Sequence, residues 1–190
     1  MSTLTFAHLR EQNLPRCRRW HPEGTPPWSH DDWLLALGGE VGEALNVVKK
    51  INRDRDGLAG NTRSRPELIA DLGSELADVI IYLDITLGWD EPDQLLGGRV
   101  GGGFVLDDFT RFRERVQPHR RSDTPSRLGN RLFTCAGDQL YGIGGRRWAN
   151  DVLGCADHLA EHFGIDLGAA VVTKFNATSE RFGFPERLAT

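Results

Sequence analysis

Hydrophobic residues along this chain recur at three- and four-residue steps, the period of an α-helix, while strand-type alternation is weak throughout. Trp33, Leu37, Val41, Ala44 and Val48 form one such stripe. Ser29 stands ahead of it as an N-cap with Asp32 three residues on, which predicts a helix running to about Ile51. A second helix opens with Pro66 in its first turn, runs to about Leu87 and stops at Gly88. On its wheel Leu68, Leu72, Val79 and Leu83 crowd one side, and Ile81 and Ile85 the other. A helix apolar around most of its circumference is expected to be largely buried.

The flanks read in the same way. Residues 3–13 predict a short amphipathic helix ended before Pro15, followed by the Pro-rich loop RCRRWHPEGTPPWS. NRDRDGLAGNTRSR predicts a polar loop between the two long helices. RWANDVLGCADHLAEHFG predicts a helix with Gly164 as its C-cap, and DLGAAVVTKFNATSERFG a final helix capped by Asp166. From about 88 to 147 the character changes. GGRVGGG predicts a flexible stretch, DDFTRFRERV a short helix, QPHRRSDTPSR a loop, and residues 126–141 a further helix. The expectation is a single all-α domain over 1–190, with an irregular Gly/Arg-rich insertion at about 88–147.

The two long helices carry carboxylates in pairs. Glu40 and Glu43 lie in GGEVGEALNVVKK, and Glu75 and Asp78 in GSELADVIIYLDI. Residues three apart share a helix face, so each segment aims two negative charges one way. Isolated carboxylates among apolar residues are costly unless paired, protonated or bound to metal. Ligation by acidic oxygens alone is what Mg²⁺ prefers, so all four are candidate metal ligands. A solvated or ion-paired face is the plainer reading of any one pair. Two matching pairs within apolar sequence favour the metal.

Composition narrows the class. The net charge is −4, yet residues 99–147 hold ten Arg against five acidic residues, leaving an acidic remainder. That remainder suits cation binding, and the basic stretch suits a polyphosphate, an acidic partner or nucleic acid. No apolar run reaches the length of a membrane span, and MSTLTFAHLR lacks the apolar core of a signal peptide. Three widely spaced cysteines, Cys17, Cys135 and Cys155, suit a reduced cytoplasmic protein. Cys155, His158 and His162 have helical spacing compatible with Zn²⁺, but no fourth ligand is evident.

With these motifs in place the chain resembles the MazG-like branch of the all-α NTP pyrophosphatases. The family's E-x-x-E and E-x-x-D motifs are matched by Glu40, Glu43, Glu75 and Asp78. WLLALGGEVGEALNVVKKINR and ELADVIIYLD resemble the helices that bear them, and GIDLGAAVVTKFNATSERFGFPERL the last helix of phage and actinobacterial members. The resemblance covers about 29–87 and 155–188. It implies a four- to five-helix bundle that hydrolyses a nucleoside triphosphate between its α and β phosphates, releasing monophosphate and pyrophosphate. It also implies Mg²⁺, with Mn²⁺ as a substitute, on the four carboxylates. One glutamate of the first pair is an alternative acceptor of the water proton.

Cations and aromatics are assigned around that centre. Lys50 lies seven residues from Glu43 on the same face, with Arg53 beyond it, although cations also favour a helix C-terminus for its dipole alone. Asn46 faces with Glu43 toward sugar or phosphate. Lys174, Asn176 and Arg181 match family positions that contact phosphate. Trp20, Trp28 or Trp33 is expected to stack on the base, against core packing for each taken singly. The apolarity of the carboxylate helices predicts a homodimer or a dimer of dimers.

The substrate expected is a deoxynucleoside triphosphate, in pool control, with a lean to purines over a dUTPase- or dCTPase-like pyrimidine specificity. The competing readings are a di-iron carboxylate bundle and a helical interaction module. The first wants Glu-x-x-His motifs that these segments lack. The second would use the Arg-rich insertion on nucleic acid or protein.

Overall fold

The structure, a computed structural model, describes residues 4–21, 23–90, 95–97, 99–100, 104–105, 107–116, 123–138 and 148–189. Its helices are α1 (Phe6–Arg19), α2 (His30–Arg55), α3 (Arg65–Asp90), α4 (Phe109–Val116), α5 (Pro125–Asp138), α6 (Trp148–His162) and α7 (Leu167–Phe182). Two two-residue strands, β1 (Arg99–Val100) and β2 (Phe104–Val105), pair antiparallel. The all-α class is thereby established; of the glycine-rich stretch expected to be flexible, residues 98 and 101–103 lie outside the described residues.

Helix ends follow local chemistry. Ser29 and Asp32 form a capping box, each side chain accepting from the other's backbone N–H. Asp166 accepts from the backbone N–H of Ala169, and Gly183 closes α7 in the left-handed region at φ 69°. Two expectations fail. Pro15 sits inside α1, which runs on to Arg19. Its ring removes one hydrogen bond to the carbonyl of Glu11, and both residues are solvent-exposed, so water can satisfy that oxygen. Gly88 does not end α3, which continues to Asp90. A methyl at Gly88 would overlap the Arg10 guanidinium, so glycine there serves close approach of α1.

α3 is the axis of the molecule. Asp54 at the end of α2 pairs with Arg65 at the start of α3, and Thr86 Oγ1 donates to the carbonyl of Trp33, so these helices run antiparallel. α1 crosses α3 in the opposite sense to its chain. Arg10 Nε donates to Asp84 Oδ1 at 2.9 Å, and Asn13 Nδ2 to the Ile81 carbonyl at 2.8 Å and Asp84 Oδ2 at 3.1 Å. α7 runs parallel to α3, with Ala170 over Gly73 and Lys174 over Ser74. α6 packs on α3 as well, while α5 packs on α2 and α6.

The segment read as an irregular insertion thus supplies α4 and α5, and with α6 it walls off apolar surface. Leu68, Leu72, Leu76, Val79, Ile80 and Leu83 are fully buried within the single chain. These α3 side chains are thus covered within the single chain. Four arginines of the basic stretch face acids: Arg111 with Asp107, Arg113 with Asp157, and Arg127 and Arg131 with Asp123. No helix among the described residues is long and apolar enough to cross a membrane.

Candidate functional site

Because α2 and α3 are antiparallel neighbours, their inward carboxylate pairs meet. Glu40, Glu43 and Glu75 each bring one ligand oxygen within 4.8 Å of the others. Asp78 is engaged differently. Lys174 of α7 places Nζ 2.6 Å from Asp78 Oδ2 and donates to Ser74 Oγ at 2.9 Å. Three carboxylates converge, and the fourth is held by an ammonium.

The electrostatics follow from burial and crowding. Burial, then the charges of Asp78, Glu43 and Glu75, push the Glu40 carboxyl up to about 7, with Lys174 opposing. Glu75 and Asp78 are also raised, burial being the largest cause in each and Lys174 again opposing. Burial would lower Lys174, but its hydrogen bond to Asp78 and the charge of that carboxylate raise it, so it stays an ammonium. One ammonium does not neutralise four carboxylates. The oxygen donor set fits a hard divalent cation, whose charge would offset the remaining repulsion.

Beside the carboxylates lies a cleft of about 410 Å³. Glu40 of α2 and Asp78 of α3 line it, followed along α3 by Tyr82 and Ile85. α7 contributes Thr178 and Phe182, which continue from Lys174 at four-residue steps and so share its face. Trp20 and Trp28 stand at the mouth, 44% and 45% exposed, and Trp33 lies deep at 4%. The rings cluster: Trp28 to Trp33 at 4.7 Å, Trp20 to Phe182 at 4.3 Å, Trp33 to Trp89 at 5.4 Å. Cys17 also lines the cleft, but burial pushes its thiol up to about 12, which disqualifies it as a nucleophile near neutrality.

The other sequence-predicted residues divide. Trp20, Trp33 and Lys174 join the site. Asn46, Lys50 and Arg53 do not line the cleft; Arg53 borders a separate groove with Asn52 and Ser126, between α2 and α5. Asn176 donates to the carbonyl of Leu188 at 2.9 Å and accepts from its N–H at 2.8 Å, so it fastens the C-terminal tail. Arg181 is exposed, with its guanidinium 5.2 Å from the Phe182 ring centroid. Among the described residues, Cys155, His158 and His162 do not form a group able to share an ion; Cys155 and His158 are buried in α6 and His162 is exposed.

Sequence reading missed Arg16, Ser74, Thr178 and Phe182. The step from Lys174 to Phe182 was a legible signal for the last two, while Arg16 was hidden by taking Pro15 as a helix end. No protein-family model, curated protein or solved structure matches the chain.

Proposed function

We propose that this protein is a Mg²⁺-dependent nucleotide pyrophosphohydrolase of the MazG-like kind, cleaving a deoxynucleoside triphosphate to monophosphate and pyrophosphate. The observation that carries this reading is the convergence of Glu40, Glu43 and Glu75 beside an aromatic-walled cleft, with Lys174 at their edge. Glu40 and Trp33 are seven residues apart on α2, about 10 Å along a helix axis, a span suited to a nucleotide's base and phosphates.

Glu40, Glu43 and Glu75 would hold the ion, and Asp78 would join or orient them. Bound there, Mg²⁺ supplies charge neutralisation for the polyphosphate and acidifies an attacking water. The chain's own part is positional. Lys174 fixes Asp78 and offers the triphosphate a cation already in place, so little reorganisation accompanies reaction. Trp20 and Trp28 present ring faces to a base, and Trp33 and Tyr82 close the inner wall. One glutamate of the first pair, Glu40 or Glu43, would accept the proton of that water in place of ligating the ion.

The test is a panel of dNTPs and NTPs with Mg²⁺ or Mn²⁺, quantifying pyrophosphate and monophosphate separately. Equimolar release, abolished by EDTA and by Glu75→Ala, is the expected result. Orthophosphate as the first product, or full turnover in EDTA, overturns the proposal.

A further inference from the structure

Five residues of α3 stand in one row. Asp71, Glu75, Asp78, Tyr82 and Ile85 follow at steps of four and three, which keeps them on one face of the helix. Asp78, Tyr82 and Ile85 line the cleft, and Glu75 joins Glu40 and Glu43 beside it. Asp71 comes one turn beyond Glu75, about 6 Å farther along the axis and away from the cleft. The row thus passes from aromatic and apolar wall, through the carboxylate centre, to Asp71. Exposure rises the same way, from 15% for the Asp78 side chain to 29% for that of Asp71.

A cation stands at that outer end. Arg63, in the loop between α2 and α3, places Nε 3.0 Å from Asp71 Oδ2. The loop backbone is tied to α3: the Ser64 N–H and hydroxyl both donate to Glu67 Oε2, and the Arg63 N–H donates to Asn61 Oδ1. The Arg63 side chain itself is 49% exposed, with room to turn about its own bonds. A pair so open to water adds little to stability. Its place matters more, because the Asp71 charge is felt at Glu75, where it helps to raise the carboxyl.

The row fixes the direction in which a nucleotide would lie. With its base against the aromatic wall and its first phosphate at the carboxylate centre, the remaining phosphates run outward toward Asp71. A triphosphate is comparable in length to one helical turn, about 5.4 Å, so its far end comes level with Arg63. We propose that Arg63 binds the terminal phosphate and that Asp71 holds the guanidinium in waiting until that phosphate arrives. Guanidinium donors match phosphate oxygens as well as they match a carboxylate, so one anion replaces the other by side-chain rotation alone. Lys174, on Asp78, stands at the opposite flank, which leaves Arg63 to the departing pyrophosphate. A diphosphate stops short and leaves Arg63 on Asp71, so the pair selects for the third phosphate. This rests on the nucleotide reading above.

The experiment takes the triphosphate turned over fastest in the panel above and compares it with its own diphosphate. Wild type should show kcat/KM at least about tenfold higher for the triphosphate, the scale of one hydrogen bond to a charged group. Arg63→Gln should bring that ratio toward one, and Arg63→Lys should restore part of it. Asp71→Asn should act in the opposite sense and lower KM for the triphosphate, because it frees the guanidinium and removes a like charge. A merely structural pair would instead lose activity in both variants alike. Equal turnover of the two nucleotides, an unchanged ratio in Arg63→Gln, or a KM unchanged or raised in Asp71→Asn overturns the inference.

A second arm needs no turnover. Inorganic pyrophosphate is titrated by calorimetry, with Mg²⁺ present, into wild type and both variants. Affinity should fall at least about tenfold in Arg63→Gln and rise in Asp71→Asn. If no triphosphate is hydrolysed but pyrophosphate binding shifts in these opposite directions, the hydrolase reading fails and this inference stands. If hydrolysis proceeds with an unchanged ratio, the reverse holds. Where turnover is measurable the ratio decides; where it is not, the titration does, and a wild type that binds no pyrophosphate then overturns the inference. Should Arg63→Gln fail to fold, the sign of the Asp71→Asn effect decides.

Discussion

Lys174 Nζ lies 2.6 Å from Asp78 Oδ2, and this contact makes the four motif carboxylates unequal. Three converge on one point while the fourth is neutralised from α7, a helix nearly a hundred residues away in sequence. The pair is partly exposed, so its worth lies less in net stability than in placing a positive charge at the rim of an acidic centre.

Replacing Lys174 with Met should therefore affect chemistry more than folding. Loss of the ammonium leaves Asp78, Glu40 and Glu75 without their main opposing charge. We expect pyrophosphate release to fall on the order of a hundredfold, as when one preorganised donor is removed. Stability without metal should fall by only about 1 kcal/mol, given the exposure of the pair. Steady-state kinetics beside urea denaturation separates the two, and wild-type turnover in the variant would exclude a phosphate-side role for Lys174.

The raised carboxyls set the sign of the pH dependence. Glu40 binds its proton more tightly folded, near pH 7, than unfolded, near 4.5, so the folded state holds more protons between those values. Its contribution to stability is complete below about 4.5 and is lost as pH rises through about 7. Glu75 and Asp78 shift in the same direction. In EDTA the melting temperature should accordingly drop between pH 5.5 and 8, and Glu40→Gln should flatten that slope. Millimolar Mg²⁺ at pH 8 should restore stability by binding only the folded state. A wild-type profile that is flat in EDTA contradicts the crowded-carboxylate account.

Much of this was legible locally. Ser29 with Asp32, Asp166 ahead of α7, Gly183 after it, and the i, i+3 spacing of the carboxylate pairs are each patterns that fit within one turn of helix. What escaped depends on distant neighbours. Pro15 is a helix breaker only where its lost bond is buried; at an exposed position α1 continues, and that carried Arg16 and Cys17 out of the expected loop into the cleft wall. Asn176 was assigned to phosphate from the family resemblance, and no local pattern signals its bonds to the Leu188 backbone. The cover of α2 by α5 lay in the least periodic part of the chain, whereas α6, which packs on α3, was legible as a helix.

The Arg10–Asp84 pair should be the most sensitive point for folding. Asp84 is wholly buried and burial raises its carboxyl, while Arg10 and Asn13 oppose that shift. Asp84→Asn removes the carboxylate that Arg10, 6% exposed, and Asn13 share. Breaking one side of a buried pair typically costs about 3–5 kcal/mol, which urea denaturation would read as a large shift in midpoint. Gly88→Ala should cost less, about 1–2 kcal/mol, by pushing the same guanidinium off its acceptor. If Asp84→Asn shifts the midpoint no more than a surface substitution does, the pair does not anchor α1 to α3.

Asn176 and Lys174 are two residues apart on α7, and substitutions there should separate structure from chemistry. The Asn176 amide makes both of its hydrogen bonds to the Leu188 backbone, and Leu188 is itself buried at 3%. Asn176→Ala leaves that carbonyl and N–H unpaired, at a cost of about 1–3 kcal/mol, and loosens residues 184–189. Phe184 lies 5.2 Å from the ring of Trp20, so the tail does reach the cleft mouth, but through packing and not through the amide. The expected result is a lowered melting temperature and faster proteolysis after Arg187, with KM for triphosphate within about threefold of wild type at a temperature where the variant is folded. A tenfold or greater rise in KM with unchanged stability would instead return Asn176 to the phosphate-binding role that its position first suggested.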